Sequence, residues 1–326
     1  MTSELRLRHD VDALCLTPRH RDVPGSLAAA RAHCRAQLEE AGWTVEERTF
    51  RPRPALRLSD AGHPVSPLAM RWMSDLEGVN LLATPPGHGG HQAGDVLLVA
   101  HLDTVRCSAG ADDNASGVAV VLEVARQLWS RDHRVVIAIV DLEELWHLGA
   151  RELARTLPRP GLVVCLDAVG FFDERPRTQR LPVGLGLRFP ALSRQLRMSE
   201  RRGNFLLAVH RGSSAAFVTS WRRAAEAAGL PAAQLRDPRW NGRGQRITHW
   251  VNPLLMVLDR SDHEPFWRRS IPAVLLTGTA TLRSPHYHRD SDTPDTLDYV
   301  RLAQVADSLA ATLAGEPVEL GLAERP

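Results

Sequence analysis

Val96-Leu-Leu-Val-Ala-His101-Leu-Asp103, then Gly110-Ala-Asp-Asp-Asn-Ala-Ser-Gly117 and the apolar run that follows it, decide how this chain folds. Val96 to His101 is an unbroken aliphatic run of strand length that ends in polar residues, the pattern of a strand covered on both faces. From Ala115 to Trp129 the pattern changes period: Val118, Val121, Leu122, Ala125 and Leu128 fall on one helical face. The same alternation repeats outward. Val135 to Leu142 reads as a second buried strand, Leu148 to Leu157 as a helix, and Leu162 to Leu166 as a third strand. Phe205 to Val209 and Ala273 to Leu276 look like two more, with a helix near Ser214 to Ala228 between them, and Leu297 to Ala314 is a closing helix. Upstream, Ser26 to Ala41 forms an amphipathic helix capped by Ser26, with Leu27, Ala30, Leu38 and Ala41 near one face. Gly42 ends it, Trp43 to Phe50 alternates like a strand, and Val79 to Ala83 is a short apolar one.

Buried strands alternating with helices predict a single α/β domain over residues 1–326, with a mostly parallel mixed central sheet flanked by helices on both faces. The least regular region is Pro231 to Pro253, which holds Trp240, His249, Trp250 and several arginines; it reads as an irregular insertion, either a loop over the site or a surface feature. Pro85-Pro-Gly-His-Gly-Gly90 is a turn and lacks any phosphate-binding glycine pattern.

With 326 residues, 44% hydrophobic, the chain can bury a large core. A net charge of +2 gives no strong field toward nucleic acid or a membrane surface. No stretch approaches the roughly 20 apolar residues of a membrane span. Met1-Thr-Ser-Glu-Leu-Arg6 has no apolar signal core, so a cytoplasmic location is expected. Cys15, Cys34, Cys107 and Cys165 lack Cys-x-x-Cys pairing and read as free thiols, with Cys165 a core residue.

The chemistry sits where the buried strands end. His101 closes the first strand, and Asp103 two residues on is expected to face the same way and to serve the other imidazole nitrogen. Asp112-Asp113 precedes a helix, where aspartate is a natural cap. Glu143-Glu144 and Asp167 follow runs of buried aliphatics, where an unpaired carboxylate is costly unless a cation offsets it. His288 lies in the polar loop Tyr287-His-Arg-Asp-Ser-Asp292. Each alone has a plain structural explanation; five metal-type donors in order at strand ends do not. His101, Asp113, Glu144, Asp167 and His288 are nitrogen and oxygen donors of the kind zinc takes, and Glu143 stands beside one of them as a proton shuttle. So carboxylate-rich a set suggests two metals, a hydrolytic device.

These segments resemble the aminopeptidase Y and bacterial leucyl aminopeptidase family of two-zinc exopeptidases, metallopeptidase family M28, over roughly Asn80 to Ala314. The resemblance is carried by Gly110-Ala-Asp-Asp-Asn-Ala-Ser-Gly117, by Ser261-Asp-His263 and by the stretch from Tyr287 to Thr296. It implies two Zn²⁺ with Asp113 bridging them; the donor types themselves do not distinguish zinc from Mn²⁺ or Co²⁺. His101 and Asp167 would complete one site, Glu144 and His288 the other. Glu143 would be the general base, Tyr287 would help polarise the scissile carbonyl, and the peptide between Asp113 and Asn114 would be cis. The substrate implied is a peptide or small amide, with an N-terminal residue removed. The chain departs from the family at Leu145-Trp146-His147, where small or glycine-containing sequence is more usual.

Three alternatives compete. Two-zinc carboxypeptidases and deacylases share the ligand order but carry a separate dimerisation domain between the fourth and last ligands, a stretch here filled by sheet and helix. Glutaminyl-cyclase-like acyltransferases use one zinc, whereas both ligand sets are complete here. A binding domain that had lost its metals should have lost a ligand or Glu143, and none is missing.

Overall fold

The computed structural model describes residues 1–60, 70–129, 134–239 and 253–315. Residues 240–252, which hold most of the expected irregular insertion, lie outside them. Ten strands are described. They are β1 (Thr44–Phe50), β2 (Ala55–Leu58), β3 (Met70–Met73), β4 (Gly78–Thr84), β5 (Val96–His101), β6 (Val135–Val140), β7 (Leu162–Asp167), β8 (Leu206–His210), β9 (Ala232–Arg236) and β10 (Ala273–Thr277). Eight of them form one sheet in the order β1-β4-β6-β5-β7-β10-β8-β9, while β2 and β3 pair separately. The centre is parallel, since β6, β5, β7 and β10 all run the same way. β1, β4 and β8 run antiparallel to their inner neighbours, so the sheet is mixed as expected.

The two faces of the central strands feed two separate cores. Along β5, Val96, Leu98 and Ala100 enter one apolar cluster, and Leu97 and Val99 enter the other. β6 divides in the same way, with Val135, Ile137 and Ile139 on one side and Val136, Ala138 and Val140 on the other. This period of two is why the strands read as unbroken aliphatic runs: both faces are dry. The first core is roofed by α1 (Ser3–Leu14), α2 (Ser26–Glu40), α3 (Gly117–Leu128), α7 (Ala215–Ala227) and α9 (Tyr299–Leu313). The second lies under α4 (Leu148–Thr156), α6 (Pro190–Met198) and α8 (Glu264–Arg268), with the short α5 (Val183–Arg188) beside α6. Each aliphatic side chain fully buried this way contributes roughly 1.5–3 kcal/mol.

Two expectations shift. The cap of α2 is Gly25, at φ 74°, and not Ser26. The Ser26 hydroxyl donates to the carbonyls of His20 and Val23 and so does not serve the helix amides. The region from Pro231 is regular at its start, where β9 adds a parallel edge strand beside β8. One element is new, α1, which periodicity could have found: Leu7, Val11 and Leu14 are buried at helical spacing, and the Thr2 hydroxyl accepts from Leu5 N. Cys165 is core, and all four cysteines are free. Among the described residues no helix is long and apolar enough to cross a membrane.

Candidate active site

The parallel strands β5, β6, β7 and β10 end on the same edge of the sheet, where open α/β sheets bind ligands. His101 is the last residue of β5, opposite Val140 of β6. Asp167 ends β7, opposite Thr277 of β10. Glu143 and Glu144 follow β6, Asp113 sits in the turn before α3, and Tyr287 and His288 follow β10.

Asp113 holds the centre. Its Oδ1 lies 3.2 Å from Nε2 of His101, and its Oδ2 lies 3.0 Å from Nε2 of His288. Nε2 of His101 is also 3.8 Å from Asp167 Oδ1, and Nε2 of His288 is 3.3 Å from Glu144 Oε2. Two three-donor clusters result, His101 with Asp113 and Asp167, and Asp113 with Glu144 and His288. These clusters share Asp113, as do the two groupings that the family resemblance implies.

The fit to metal is testable on the donors themselves. Nε2 of His101, Nε2 of His288 and Oε1 of Glu144 are buried without a hydrogen bond. Orphaned buried donors of this kind are rare in a finished interior and point to an ion. Ligand atoms about 2.0–2.1 Å from a tetrahedral zinc lie about 3.3 Å from one another, close to the spacings above. His101 donates from Nδ1 to the Asp103 carbonyl at 3.1 Å, which directs Nε2 toward the cluster as the nitrogen that would take a metal.

The role expected for the Asp103 side chain is corrected here. β5 stops at His101, so Asp103 is not one strand step further on the same face. Its carboxylate is 3.9 Å from the imidazole and accepts instead from the backbone N–H of Glu143 at 2.9 Å and of Glu144 at 3.1 Å. It therefore sets the loop that carries both glutamates.

The Asp113 turn is pinned from every side. Asn114 donates to Leu166 O at 2.8 Å and accepts from Gly117 N at 3.1 Å. Asp112 accepts from Gly170 N and Phe171 N at 2.7 and 3.0 Å. The peptide between Asp113 and Asn114 is cis. Gly117 is obligatory, because a Cβ there would collide with the Asn114 side-chain oxygen.

Several contributors carried no assigned role in the sequence reading. Asp292 accepts from the N–H of Asp112 at 2.8 Å and of Asp113 at 3.2 Å, tying the His288 loop to the Asp113 turn. It was quoted within its polar loop, four residues past His288. Arg19, almost fully buried, donates to the carbonyls of Leu102, Ala109 and Gly110 at 2.7–2.8 Å and braces the loop from His101 to Asp113. No periodic signal marks it. Asp262, inside the quoted Ser261-Asp-His263, is buried with Oδ1 unbonded. Burial, then the charges of Glu143 and other site carboxylates, drive its pKa well up. His263 is structural: Nε2 bonds Leu258 O at 2.7 Å and its ring meets the Trp267 edge.

Electrostatically the site is a buried ring of acids around two imidazoles. Burial raises the Glu143 carboxyl to about 7, against the opposing pull of His101. Burial would lower His288, but Glu144 and Asp113 raise it to about 11. His101 is likewise raised, with Glu143 and Asp113 overriding its burial. Asp113 is held below the usual carboxylate range by His101 and His288, despite burial. The Tyr287 ring stacks on His288 at 3.9 Å, and burial pushes its phenol well up. Trp146 is about half exposed and is absent from the residues that line the adjoining cavity. His147 is buried, with Nε2 3.2 Å from Glu143 Oε1, and burial takes its imidazole down to about 4.

A cavity of about 110 Å³ opens beside Asp167 and Tyr287 and is lined by Leu192, Leu196, Phe205, Leu207 and Leu275 among others. It exceeds the roughly 30 Å³ share of one water and falls below the roughly 150 Å³ cavity that admits benzene, so it suits one apolar side chain.

Comparison with known proteins agrees with this geometry. The profile of Peptidase family M28 matches residues 80–313. The Escherichia coli (strain K12) protein YfbL is 32% identical over 234 residues, a match covering 67% of this chain and 66% of YfbL, just under two thirds of that protein's length. The structure of BSAP, a zinc aminopeptidase from Bacillus subtilis, superposes with a TM-score of 0.67 at 16% identity, over 95% of this chain and 94% of that one. An aminopeptidase from Aneurinibacillus sp. strain AM-1 gives 0.63 at 16% identity, over 95% and 92%. Porphyromonas gingivalis glutaminyl cyclase gives 0.60 at 18% identity, over 95% and 96%. These three likenesses are of fold. The profile spans more than half of the sequence and includes every metal-type donor named above, and on that ground the chain belongs to Peptidase family M28, a family of metal-dependent hydrolases.

Proposed function

We propose that this protein is an aminopeptidase that removes N-terminal residues with apolar side chains, using two zinc ions and Glu143 as general base. One observation carries the reading: Asp113 is shared between two histidine–carboxylate clusters, with Glu143 alongside and free of either cluster. His101, Asp113 and Asp167 would hold one ion, and Asp113, Glu144 and His288 the other. Bound there, the ions supply positive charge that acidifies water and polarises an amide carbonyl.

The side chains supply the rest. Glu143 Oε2, 4.0 Å from His101 Nε2, takes a proton from water and returns it to the departing amine. Tyr287, which lines the cavity and stacks on His288, would donate to the carbonyl oxygen as negative charge develops there. The free α-ammonium of a substrate finds Asp167 at the cavity mouth and the acidic ring behind it, while the first side chain enters the apolar cavity. The complete second cluster favours hydrolysis over the cyclase reading of the same fold.

The test uses a leucyl p-nitroanilide and its N-acetyl form with the metal-loaded protein. Acetylation removes a charge-assisted hydrogen bond worth about 1.5–3 kcal/mol, so kcat/KM should fall at least about tenfold. Equal turnover of both would make the enzyme an amidase or deacylase.

A further inference from the structure

We propose that His147 is a positioning residue for Glu143, holding one carboxylate oxygen so that the other faces the metal-type donors. The inference rests on the role given above to Glu143. His147 Nε2 lies 3.2 Å from Glu143 Oε1, while Glu143 Oε2 is the oxygen directed toward His101. The two oxygens thus point to different partners. A neutral imidazole has a single N–H to give, and Nδ1 of His147 is buried without a hydrogen bond. The Glu143 carboxylate, 3.2 Å from Nε2, is the acidic group in contact with the ring.

The backbone makes the same point independently. Trp146 and His147 are both left-handed, at φ 73° and 60°. Glycine adopts that region freely, whereas a side chain with a Cβ, above all a bulky one such as tryptophan, is strained there. The turn is held by His147 N donating to Glu143 O at 2.8 Å and by Leu148 N donating to Leu142 O at 3.0 Å. α4 begins directly after it, its Arg151 N bonding His147 O at 2.8 Å. This left-handed turn brings the His147 ring back onto the carboxylate four positions earlier. A histidine here closes a short loop in which Glu143 is held twice, by Asp103 through its N–H and by His147 through its side chain.

The experiment compares His147→Asn and His147→Gln in the metal-loaded protein. Asparagine tolerates the left-handed backbone but is too short to reach Glu143; glutamine can reach it. A mis-aimed base costs on the order of tenfold to a hundredfold. His147→Asn should lose at least about tenfold in kcat on the leucyl anilide with KM changed less than about twofold, and His147→Gln should recover most of it. Metal content and melting temperature should stay at wild-type values in both. In crystals, the Glu143 carboxylate should be turned or split in the asparagine variant and restored in the glutamine variant. Wild-type kcat in His147→Asn, a glutamine variant as slow as the asparagine one, or an unmoved Glu143 overturns the proposal. Failure of the wild-type enzyme on the anilide would strike the proposed function instead, and the crystallographic readout on Glu143 would still decide the role of His147.

Discussion

The carboxylate of Asp103 accepts the backbone N–H of Glu143 at 2.9 Å, across forty residues of sequence. The same carboxylate takes the N–H of Glu144 at 3.1 Å. One buried side chain in the loop after β5 thereby sets the loop that follows β6 and aims both glutamates. Asp103→Ala would leave two N–H groups without acceptors, at a cost of about 1–3 kcal/mol each. The expected outcome is a lower melting temperature together with a fall in kcat, with Asp103→Asn between the alanine variant and the wild type. Thermal unfolding and steady-state kinetics check it; an alanine variant with unchanged stability and turnover would contradict the role.

Glu143 and Glu144 are neighbours with different partners. Glu144 meets His288 at 3.3 Å within a donor cluster, whereas Glu143 meets His147. Glu143→Gln should therefore abolish turnover while metal content stays at the wild-type level. Glu144→Gln should lower the metal content by weakening one site. Equal metal loss in the two variants, measured by atomic emission, would erase the distinction.

Metal binding should release protons. In the metal-free protein Glu144 and Asp113 raise His288 to about 11 against the effect of burial, and His101 is raised in the same way. Both imidazoles therefore carry a proton at neutral pH, and a ligand imidazole must give it up. Protons compete with metal at any pH below those raised values, so apparent affinity climbs as pH rises. Calorimetry in two buffers of different ionisation enthalpy should report net proton release when the site fills. A pH-independent affinity with no buffer dependence would show that the imidazoles are not the ligands.

The parts of this molecule built on period were readable beforehand. β5, β6 and β7 are buried on both faces, so their aliphatic runs stand out, and the expected and observed strands agree to within two residues. His101, Glu144 and Asp167 were legible because acids and histidines ending such runs have no cheap solvent exposure, whereas Asp113 and His288 lie in loops and took their roles from the family resemblance. Elements on the surface were less so: β9 alternates intermediate and exposed residues with its buried ones and gave no clean signal. Least visible were long-range brackets. Arg19 binds carbonyls more than eighty residues away, and Asp292 binds amides about 180 residues away. Such contacts depend on which loops the sheet brings together, which no local pattern encodes. The Asp103 side chain was misassigned for a related reason: its partner is a backbone, and backbone leaves no mark in composition.

The account stands on Asp113 serving two ions at once. The most direct measurement is anomalous diffraction at the zinc edge from crystals of the zinc-loaded protein. Two peaks are predicted, roughly 3.5 Å apart, one beside His101 and Asp167, the other beside Glu144 and His288, with one Asp113 oxygen on each. A single peak, or an Asp113 carboxylate turned away from both ions, would contradict it.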